Sequence, residues 1–252
     1  MSIQIIVNAD DLGMSEVVND AIFRAMERGM ITSATLLANG AEVTAAAREV
    51  HRFPNCSFGV HLNLTEFQPV CEQSCSTLAA ILDDRGCFGG NSIRRVRIGV
   101  SMLKAIYREW SAQIERLISL GVSPSHLDGH HHVHTIPQLL PVLAALRRRY
   151  RIRKARISRN MYDPAMPASR LLLAEKYLFN STLKAMGFRT AQIFTELEVF
   201  LRVCADHPPK ANVVELMTHP GSTQSEGETR LLACEWTRNL SYRPILVSYQ
   251  AL

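Results

Sequence analysis

Short apolar segments alternate with segments of helical periodicity along most of this 252-residue chain, and no other feature constrains the fold as strongly. The apolar segments are typical of buried strands, and the periodic segments between them are typical of amphipathic helices. The clearest apolar stripe runs from Leu103 to Ile118 and predicts a helix that packs against a core. Strands that alternate with helices indicate a parallel sheet with crossover helices, so the sequence predicts an α/β fold.

The predicted elements follow one another without an internal repeat or a low-complexity linker, so we expect one domain over residues 1–252. Strands are predicted at residues 3–7, 31–37, 58–64, 126–128, 151–158, 191–194, 213–217 and 244–249. Helices are predicted at about residues 18–26, 42–51, 103–118, 137–150, 171–186 and 228–239. The chain lacks the glycine-rich dinucleotide fingerprint and the P-loop, which disfavours an open nucleotide-binding sheet.

Side chains that can take part in chemistry stand at or just beyond the ends of several predicted strands. They are Asp10 with Asp11, His61, His130, Arg159 and His219. In a β/α barrel the C-terminal ends of all strands open on one face, and the active site is built there. Residues far apart in the sequence would therefore converge at a single site.

The stretch from Ser125 to His134 concentrates histidines around one carboxylate, Asp128. Imidazole and carboxylate groups are ligands that divalent cations take in proteins. The alternative is a polar surface loop whose histidines are satisfied by hydrogen bonds or bind stray metal. The tract alone does not decide between the two, but the polar residues at the other strand ends favour a metal site.

A hydrolytic metal site needs about three protein ligands and an open position for water. Asp11, His61 and His130 form one such set. The neighbouring Asp10 would accept a proton from the attacking water, and His219 would protonate the departing group from the other side. Arg159 would orient Asp10 or hold its charge.

Each of these residues also has an ordinary structural explanation. Either aspartate would serve equally well as a cap for the helix that follows. In the structural explanation, His61 would be a core histidine whose hydrogen bonds are satisfied, and His219, which precedes a proline, would be a turn residue. Arg159 would pair with a structural acid.

Composition indicates a globular protein with enough apolar residues for a sizeable core. The formal net charge is a modest +5, and the basic clusters at residues 94–97 and 147–159 are explained most simply as solvated helix faces. No nucleic-acid motif accompanies them. The beginning of the chain lacks a signal peptide, no apolar run would span a bilayer, and the six cysteines form no CxxC pair, so we expect reduced thiols and a cytoplasmic location.

Regular patterning is lost between Thr65 and Ser101, where glycine, cysteine, serine and aspartate are frequent. This region is predicted to be a long loop or lid with at most a short helix. Long loops in compact domains are usually functional or mobile. We expect this one to lie over the strand ends and to help select the substrate.

Five short motifs together resemble the YdjC family of carbohydrate deacetylases, which includes a chitooligosaccharide deacetylase and a hopanoid-associated protein. They are Ile6–Gly13 (IVNADDLG), Thr32–Thr35 (TSAT), Gly59–Thr65 (GVHLNLT), His126–His134 (HLDGHHHVH) and Met217–Gly221 (MTHPG). The motifs follow the family order between residue 5 and about residue 221, and as a set they are highly specific. Residues 65–101 and the segment after Gly221 carry no such resemblance.

The resemblance implies a distorted β/α (TIM-like) barrel of the glycoside hydrolase and deacetylase type. Its activity would be the metal-dependent removal of acetyl groups from N-acetylated sugars or glycoconjugates, which is hydrolysis of a linear amide C–N bond. By position, Asp11, His61 and His130 match the metal ligands of the family, Asp10 the base and His219 the acid, whereas Arg159 matches an arginine less firmly. In related NodB-type deacetylases a His-x-x-x-His pair supplies both imidazoles, which leaves His134 as an alternative ligand.

The family description favours one Mg²⁺ ion, whereas one carboxylate with two imidazoles also suits Zn²⁺, Mn²⁺ or Co²⁺. Two other functions stay open: a barrel that binds sugar without turnover, and another metal hydrolase such as a phosphoesterase. Intact Asp10 and His219 argue against the first alternative. The presence of only one obvious three-ligand set argues against the second, because many phosphoesterases use two ions. A homodimer is the base-rate expectation for a soluble oligomer.

Overall fold

The computed structural model describes residues 3–252, and its centre is one curled parallel sheet. Its strands are β1 (Gln4–Leu12), β2 (Ser33–Leu36), β3 (Ser57–Leu62), β4 (Leu127–Gly129), β5 (Ile193–Glu196), β6 (Val213–Thr218) and β7 (Ile245–Leu246). Their spatial order is β4-β3-β2-β1-β6-β5, and β7 pairs with the beginning of β1. All pairings are parallel, as the alternation of strands and helices predicts.

Helices surround this sheet and connect its strands. They are α1 (Glu16–Glu27), α2 (Val43–Glu49), α3 (Cys75–Leu78), α4 (Val100–Ser119), α5 (Leu140–Tyr150), α6 (Arg170–Ala185), α7 (Leu197–Cys204) and α8 (Glu226–Ala233). The stripe predicted on α4 is confirmed, since Ile106, Trp110 and Ile114 are fully buried. Within residues 3–252, no helix combines the length and the apolar character required for a membrane span.

The strand predicted at residues 151–158 is wrong as a regular element, because this segment makes only isolated bridges. Ala155 pairs with Leu127 of β4, and Lys154 pairs with Arg189, just ahead of β5. The segment thereby bridges the gap between the two edge strands of the sheet. The predicted distorted β/α barrel is confirmed in this form, with an irregular closure between β4 and β5.

The two faces of the sheet differ in polarity because successive side chains on a strand point to opposite sides. Val7 of β1 and Val60 of β3 belong to the apolar core outside the sheet. The inner face carries polar side chains that are almost completely buried, namely Asn8, Asp10, Ser33, Thr35, Ser57, His61, Asp128 and Glu215. The interior of the barrel is therefore polar, unlike the packed aliphatic layers usual in TIM barrels.

The predicted long loop between β3 and α4 contains the short helix α3 and several 3₁₀ turns. Glu109 of α4 holds the loop by accepting hydrogen bonds from the backbone N–H groups of Val70 (3.0 Å) and Cys71 (2.8 Å). At its beginning, Glu66 reaches the cavity at the C-terminal ends of the strands. This part of the loop thus lies where the sequence predicts it.

Candidate metal and catalytic site

A cavity of about 910 Å³ opens at the C-terminal ends of the parallel strands. Among its lining residues are Asp10, Asp11, His61, His130 and His219. Asp10 and Asp11 lie near the end of β1, His61 near the end of β3, and His130 and His219 directly after β4 and β6. The structure therefore brings together five of the six site residues predicted from the sequence.

Asp11, His61 and His130 form a cluster whose potential ligand atoms all lie within 4.8 Å of one another. Oδ1 of Asp11 is 3.2 Å from Nε2 of His61 and 2.7 Å from Nδ1 of His130. Burial opposes ionisation of Asp11, but the close imidazoles of His130 and His61 hold the pKa of this carboxyl well below its usual range. The cluster offers one carboxylate and two imidazoles, a donor set typical of divalent metal sites.

Two polar atoms of this cluster lack an ordinary hydrogen-bond partner despite being buried. They are Oδ1 of Asp11 and Nε2 of His130. Buried polar atoms without partners are uncommon and call for an explanation. A cation in this position would satisfy the Asp11 oxygen, so the cluster fits a resident metal ion.

His61 is fixed by a second carboxylate behind it. Its Nδ1 lies 2.7 Å from Oδ1 of Asp128, and the hydroxyl of Thr35 donates to the other oxygen of Asp128 at 3.0 Å. This arrangement leaves Nε2 of His61 directed towards Asp11, in the manner of carboxylate–histidine pairs that orient metal ligands. Burial lowers the pKa of His61, but the charges of Asp128 and Asp10 outweigh it and raise this pKa to about 10.

The backbone turns sharply after His130. His131 and His132 both adopt left-handed conformations, with φ of 48° and 56°, and such conformations are unfavourable for residues with a side chain. The long loop supports this turn, because Arg94 donates to the carbonyl of His131 at 2.8 Å. Glu66 of the same loop lies 3.5 Å from Nε2 of His130. The loop therefore helps to define the cavity wall beside the metal cluster.

Asp10 is held by Arg156 rather than by the metal cluster. The guanidinium donates to both carboxylate oxygens of Asp10 at 2.6 Å each, and Asn8 donates to Oδ1 at 2.9 Å. Burial alone would raise the pKa of Asp10, but the charge and the hydrogen bonds of Arg156 hold it well below its usual range. Asp10 is therefore an ionised, oriented acceptor at the wall of the cavity.

Arg159 does not occupy the position that the sequence analysis gave it. It pairs with Glu196 and lies over the ring of Tyr162, with its Cζ 4.6 Å from the ring centroid. Arg156, which precedes Arg159 by three residues, points into the barrel and is fully buried. The expected arginine contact with Asp10 exists, but the sequence analysis assigned it to the wrong arginine of the basic segment.

His219 lines the same cavity as the metal cluster. Its Nε2 lies 3.9 Å from Oδ2 of Asp10, and its Nδ1 lies 3.7 Å from Oε2 of Glu228. The same Glu228 oxygen accepts a hydrogen bond from the backbone N–H of His219 at 2.8 Å. Burial lowers the pKa of His219, but Glu228 and the aspartates outweigh it and raise the pKa to about 9, so the imidazole is protonated at neutral pH.

His134, the alternative ligand, packs against the backbone at Gly129 and does not belong to the Asp11 cluster. A Cβ added to Gly129 would be 3.0 Å from Nδ1 of His134.

Among the residues that the structure describes, two further groups have metal-binding geometry: Glu66 with His130 and His131, and Asp10 with His61 and Asp128. Each shares an imidazole with the Asp11 cluster. The sequence analysis anticipated only one such set.

Arg156 and Glu228 were missed as functional candidates, and Asp128 was noted in the histidine tract without a role of its own. Asp128 lies in the histidine tract two residues before His130, so alternation along the strand could have identified it. Arg156 stands in a segment whose irregular pairing hides which residues face inward. Glu228 lies in a helix that has no sequence signal connecting it with His219.

The chain matches the family described as YdjC-like protein over residues 4–243. It is 39% identical over 149 residues to a carbohydrate deacetylase of Geobacillus stearothermophilus, covering 58% of this chain and 57% of that protein. A carbohydrate deacetylase of Brevibacillus brevis is 32% identical over 222 residues, covering 86% of this chain and 81% of that protein. A chitooligosaccharide deacetylase of Serratia marcescens is 33% identical over 142 residues, covering 56% and 54%.

The matched regions thus span less than two thirds of the Geobacillus and Serratia proteins. A structural relative covers the whole chain. It is a crystal structure of an Enterococcus faecalis V583 protein named for the cleavage of cellobiose phosphate, with a TM-score of 0.76 and 26% sequence identity. It is covered to 99% of its length, and this chain to 100%. The fold described above is therefore shared over its full extent.

Proposed function

The chain belongs to the YdjC family, and from that premise we propose that it is a metal-dependent carbohydrate deacetylase. Its reaction is the hydrolysis of the acetamide of an N-acetylated amino sugar, free or in a glycoconjugate, with release of acetate. The observation that carries the proposal is the arrangement in one cavity of the Asp11–His61–His130 cluster, Asp10 and His219. A base, an acid and a cation-binding cluster around one cavity are the parts that amide hydrolysis requires.

Asp11, His61 and His130 would hold one divalent cation, and their buried, unpartnered atoms support this assignment. When bound, the ion would polarise the acetamide carbonyl and stabilise negative charge on its oxygen. Mg²⁺ is the first candidate from the family resemblance. Zn²⁺, Mn²⁺ and Co²⁺ are the alternatives that two imidazoles and one carboxylate favour.

Asp10 acts as the general base in this proposal. Its carboxylate is ionised and held at both oxygens by Arg156, so it is directed towards a fixed point in the cavity. It takes a proton from the water that attacks the acetamide carbon. Arg156 orients the carboxylate, the part that the sequence analysis gave to Arg159.

His219 acts as the general acid. It is protonated at neutral pH because Glu228 and the aspartates stabilise the imidazolium. It donates this proton to the nitrogen of the sugar amine as the C–N bond breaks. The amine then leaves as a neutral group, and the acetic acid formed with it loses its proton to water to give acetate.

An acetate-release assay tests the proposal directly. We expect the purified chain to release acetate from at least one member of a panel of N-acetylated glycans. A chelator should abolish this activity, and a single divalent ion should restore it. Glycan binding without acetate would instead indicate a sugar-binding barrel, and phosphate release from phosphorylated sugars would indicate a phosphoesterase.

Two further expectations belong to this proposal. The cytoplasmic location and the homodimer expected from the sequence stay predictions. Sedimentation at several protein concentrations would measure the oligomeric state. The chemical nature of the acetylated substrate, whether a free oligosaccharide or a larger conjugate, follows from which members of the glycan panel release acetate.

A further inference from the structure

A chain of hydrogen-bonded side chains runs through the barrel interior, from the C-terminal segment to Asp10. Tyr249 donates its hydroxyl to Oε2 of Glu215 at 2.6 Å. Nε of Arg156 donates to Oε1 of the same glutamate at 2.6 Å. The Nη atoms of Arg156 hold Asp10, as described above. All four side chains are buried, with at most 2% of any of these residues exposed.

This series of hydrogen-bonded side chains begins at the opposite end of the barrel from the cavity. The backbone N–H of Tyr249 donates to the hydroxyl of Ser57, the first residue of β3, at 2.9 Å. Its ring stacks on His126 with a centroid distance of 3.6 Å and an interplanar angle of 9°. Lys154 donates to its carbonyl at 2.6 Å. The position and the direction of the Tyr249 hydroxyl are therefore fixed by contacts that do not involve that hydroxyl.

Three carboxylates hold the planar guanidinium of Arg156, and Glu215 is the one that holds its Nε. The Nε contact with Glu215 and the Nη contacts with Asp10 come from adjacent edges of the same rigid fork, and Nη1 also lies 2.9 Å from Oδ2 of Asp128. If Glu215 turned away, Nε would be a buried donor without a partner, and the fork would no longer be held at that edge. Tyr249 prevents this, because its hydroxyl occupies the other Glu215 oxygen.

The state of the tyrosine supports this arrangement. Burial and the charge of Glu215 raise the pKa of Tyr249 well above its usual value, so the phenol keeps the proton that it donates. Burial raises the pKa of Glu215, whereas Arg156 and Tyr249 act in the opposite direction. The buried glutamate thus depends on both neighbours to remain an acceptor.

We propose that Tyr249 is a positioning residue for the reaction, which sets the orientation of Arg156 through Glu215 and thereby the orientation of Asp10. The inference rests on the proposed role of Asp10 as the base. It extends the machinery of the site to the C-terminal segment, which lies at the far end of the barrel. Tyr249 does not line the cavity, so its effect would be exerted through Glu215 and Arg156.

The test compares Tyr249→Phe with the matched control Tyr150→Phe in the whole 252-residue chain. Phenylalanine retains the ring that stacks on His126 and removes only the hydroxyl. Tyr150 also donates its hydroxyl to a glutamate at 2.6 Å, but this partner, Glu115, lies on the surface. Glu215→Gln is the second variant, because it retains the shape of the glutamate and removes its charge.

Two measurements are made on each variant. The first is the ¹⁵N–¹H spectrum of the arginine side chains, in which the Arg156 signals are assigned from their loss in Arg156→Lys. The second is kcat and KM for acetate release from a glycan of the panel that the unmodified chain deacetylates. We expect Tyr249→Phe to shift and average the Arg156 Nη signals and to lower kcat about 10-fold, since a displaced base loses part of its effect. KM should remain within about two-fold, and Tyr150→Phe should change neither quantity.

Unchanged Arg156 signals in both Tyr249→Phe and Glu215→Gln would overturn the inference, whatever the activity. Altered signals with an unaltered kcat would overturn it as well. If the unmodified chain releases no acetate, the proposed function fails separately. The Arg156 signals would in that case still decide whether Tyr249 positions the arginine.

Discussion

At the scale of single residues, the site depends on how two neighbouring aspartates reach the same cavity. Side chains of consecutive strand residues normally point to opposite faces. The pairing of β1 with β2 shifts register between Ala9 and Leu12, and Asp11 adopts a φ of 67° in the left-handed region. This irregularity turns Asp11 towards the imidazoles while Asp10 remains directed at Arg156. Bulges of this kind commonly re-aim side chains next to active sites.

The first prediction separates the two aspartates. Asp10→Asn should retain the cation but lose about 10²–10⁴-fold in turnover, because a positioned base contributes that much. Asp11→Asn should weaken cation binding itself, because it removes the anionic ligand. Calorimetric metal titration and acetate release measure the two effects, with exposed Asp20→Asn as the control. If Asp10→Asn loses the metal and Asp11→Asn keeps it, the roles are exchanged.

The second prediction concerns the pH dependence of His219. Its pKa is raised to about 9, so the protonated acid is present at neutral pH and is lost as the pH rises through that value. The alkaline limb of kcat/KM should therefore fall near pH 9. Glu228→Gln removes an anionic neighbour of the imidazolium and should lower this pKa, which moves the limb to lower pH. The exposed Glu226→Gln in the same helix should leave the profile in place.

An alkaline limb that is identical in Glu228→Gln and the unmodified chain would show that another group titrates there. A profile without any alkaline limb up to pH 10 would remove His219 from the role of acid. Full pH profiles of kcat/KM are needed for this comparison, because they report the essential groups of the free enzyme.

Sequence reasoning located the cavity residues well, but their supporting partners poorly. The five cavity residues lie at or just after the C-terminal ends of strands, so their position at one end of the sheet is implied once the alternation is recognised. Arg156 belongs to the irregular segment, where a strand period cannot show which of several arginines faces inward. Its choice of partner is a tertiary property, determined by three carboxylates from separate elements: Asp10, Asp128 and Glu215.

At the scale of elements, one buried side chain of α4 attaches the first part of the long loop between β3 and α4. Glu109 is fully buried and accepts two backbone hydrogen bonds from the loop and one from Gln113. Burial raises the pKa of this carboxyl, and the hydrogen bonds counteract that increase. A loop with little regular structure is thus attached to the barrel at a defined point, and Glu66 is presented to the cavity from it.

The third prediction tests this attachment. Glu109→Ala should lower the free energy of unfolding by about 1–3 kcal/mol, since it leaves buried amide donors without partners. It should also raise KM more than it lowers kcat, because the part of the loop that follows Glu66 would be attached less firmly beside the cavity. Urea unfolding and steady-state kinetics measure both effects. Exposed Glu115→Ala on the same helix provides the control, and an unaltered KM in Glu109→Ala would exclude a role for the loop in substrate binding.

The elements themselves were predictable to different degrees, for identifiable reasons. The strong stripe of α4 and the apolar strands β1, β3 and β6 were found because burial on one or both faces leaves a clear pattern. Helix α7 was missed, because it follows β5 directly and no turn residue marks the change from strand to helix. The strand predicted at residues 151–158 failed because its pairing is irregular on both sides.

At the scale of the whole molecule, the polar interior makes the site part of the structure that closes the barrel. Arg156 in the closing segment, Asp128 of β4 and Asp10 of β1 are joined by direct ion pairs. A cation held by Asp11, His61 and His130 would connect the ends of β1, β3 and β4. Occupation of the site and stability of the barrel should therefore be coupled, since a ligand that binds only the folded state stabilises it.

The last prediction follows from this coupling. Saturation with the preferred cation at about 100 times its Kd should raise the free energy of unfolding by about 2.7 kcal/mol. His61→Ala and His130→Ala should remove this increase, because each deletes a ligand from the cluster. His134→Ala should retain the increase although it lowers the stability of the metal-free protein, since His134 is buried outside the cluster. Exposed His207→Ala should behave like the unmodified chain.

Thermal unfolding of each variant, with chelator and then with Mg²⁺, Zn²⁺, Mn²⁺ or Co²⁺, distinguishes ligands from merely buried histidines. The ion that gives the largest increase is also identified in this way, without an activity assay. If His134→Ala abolishes the increase and His61→Ala retains it, the two imidazole ligands are the His-x-x-x-His pair of NodB-type deacetylases. The ligand set proposed here would then be wrong. If no ion stabilises the unmodified chain, the cluster is not a resident metal site. Asp11 would then be held by the imidazoles alone, through the 2.7 Å and 3.2 Å contacts that the structure contains.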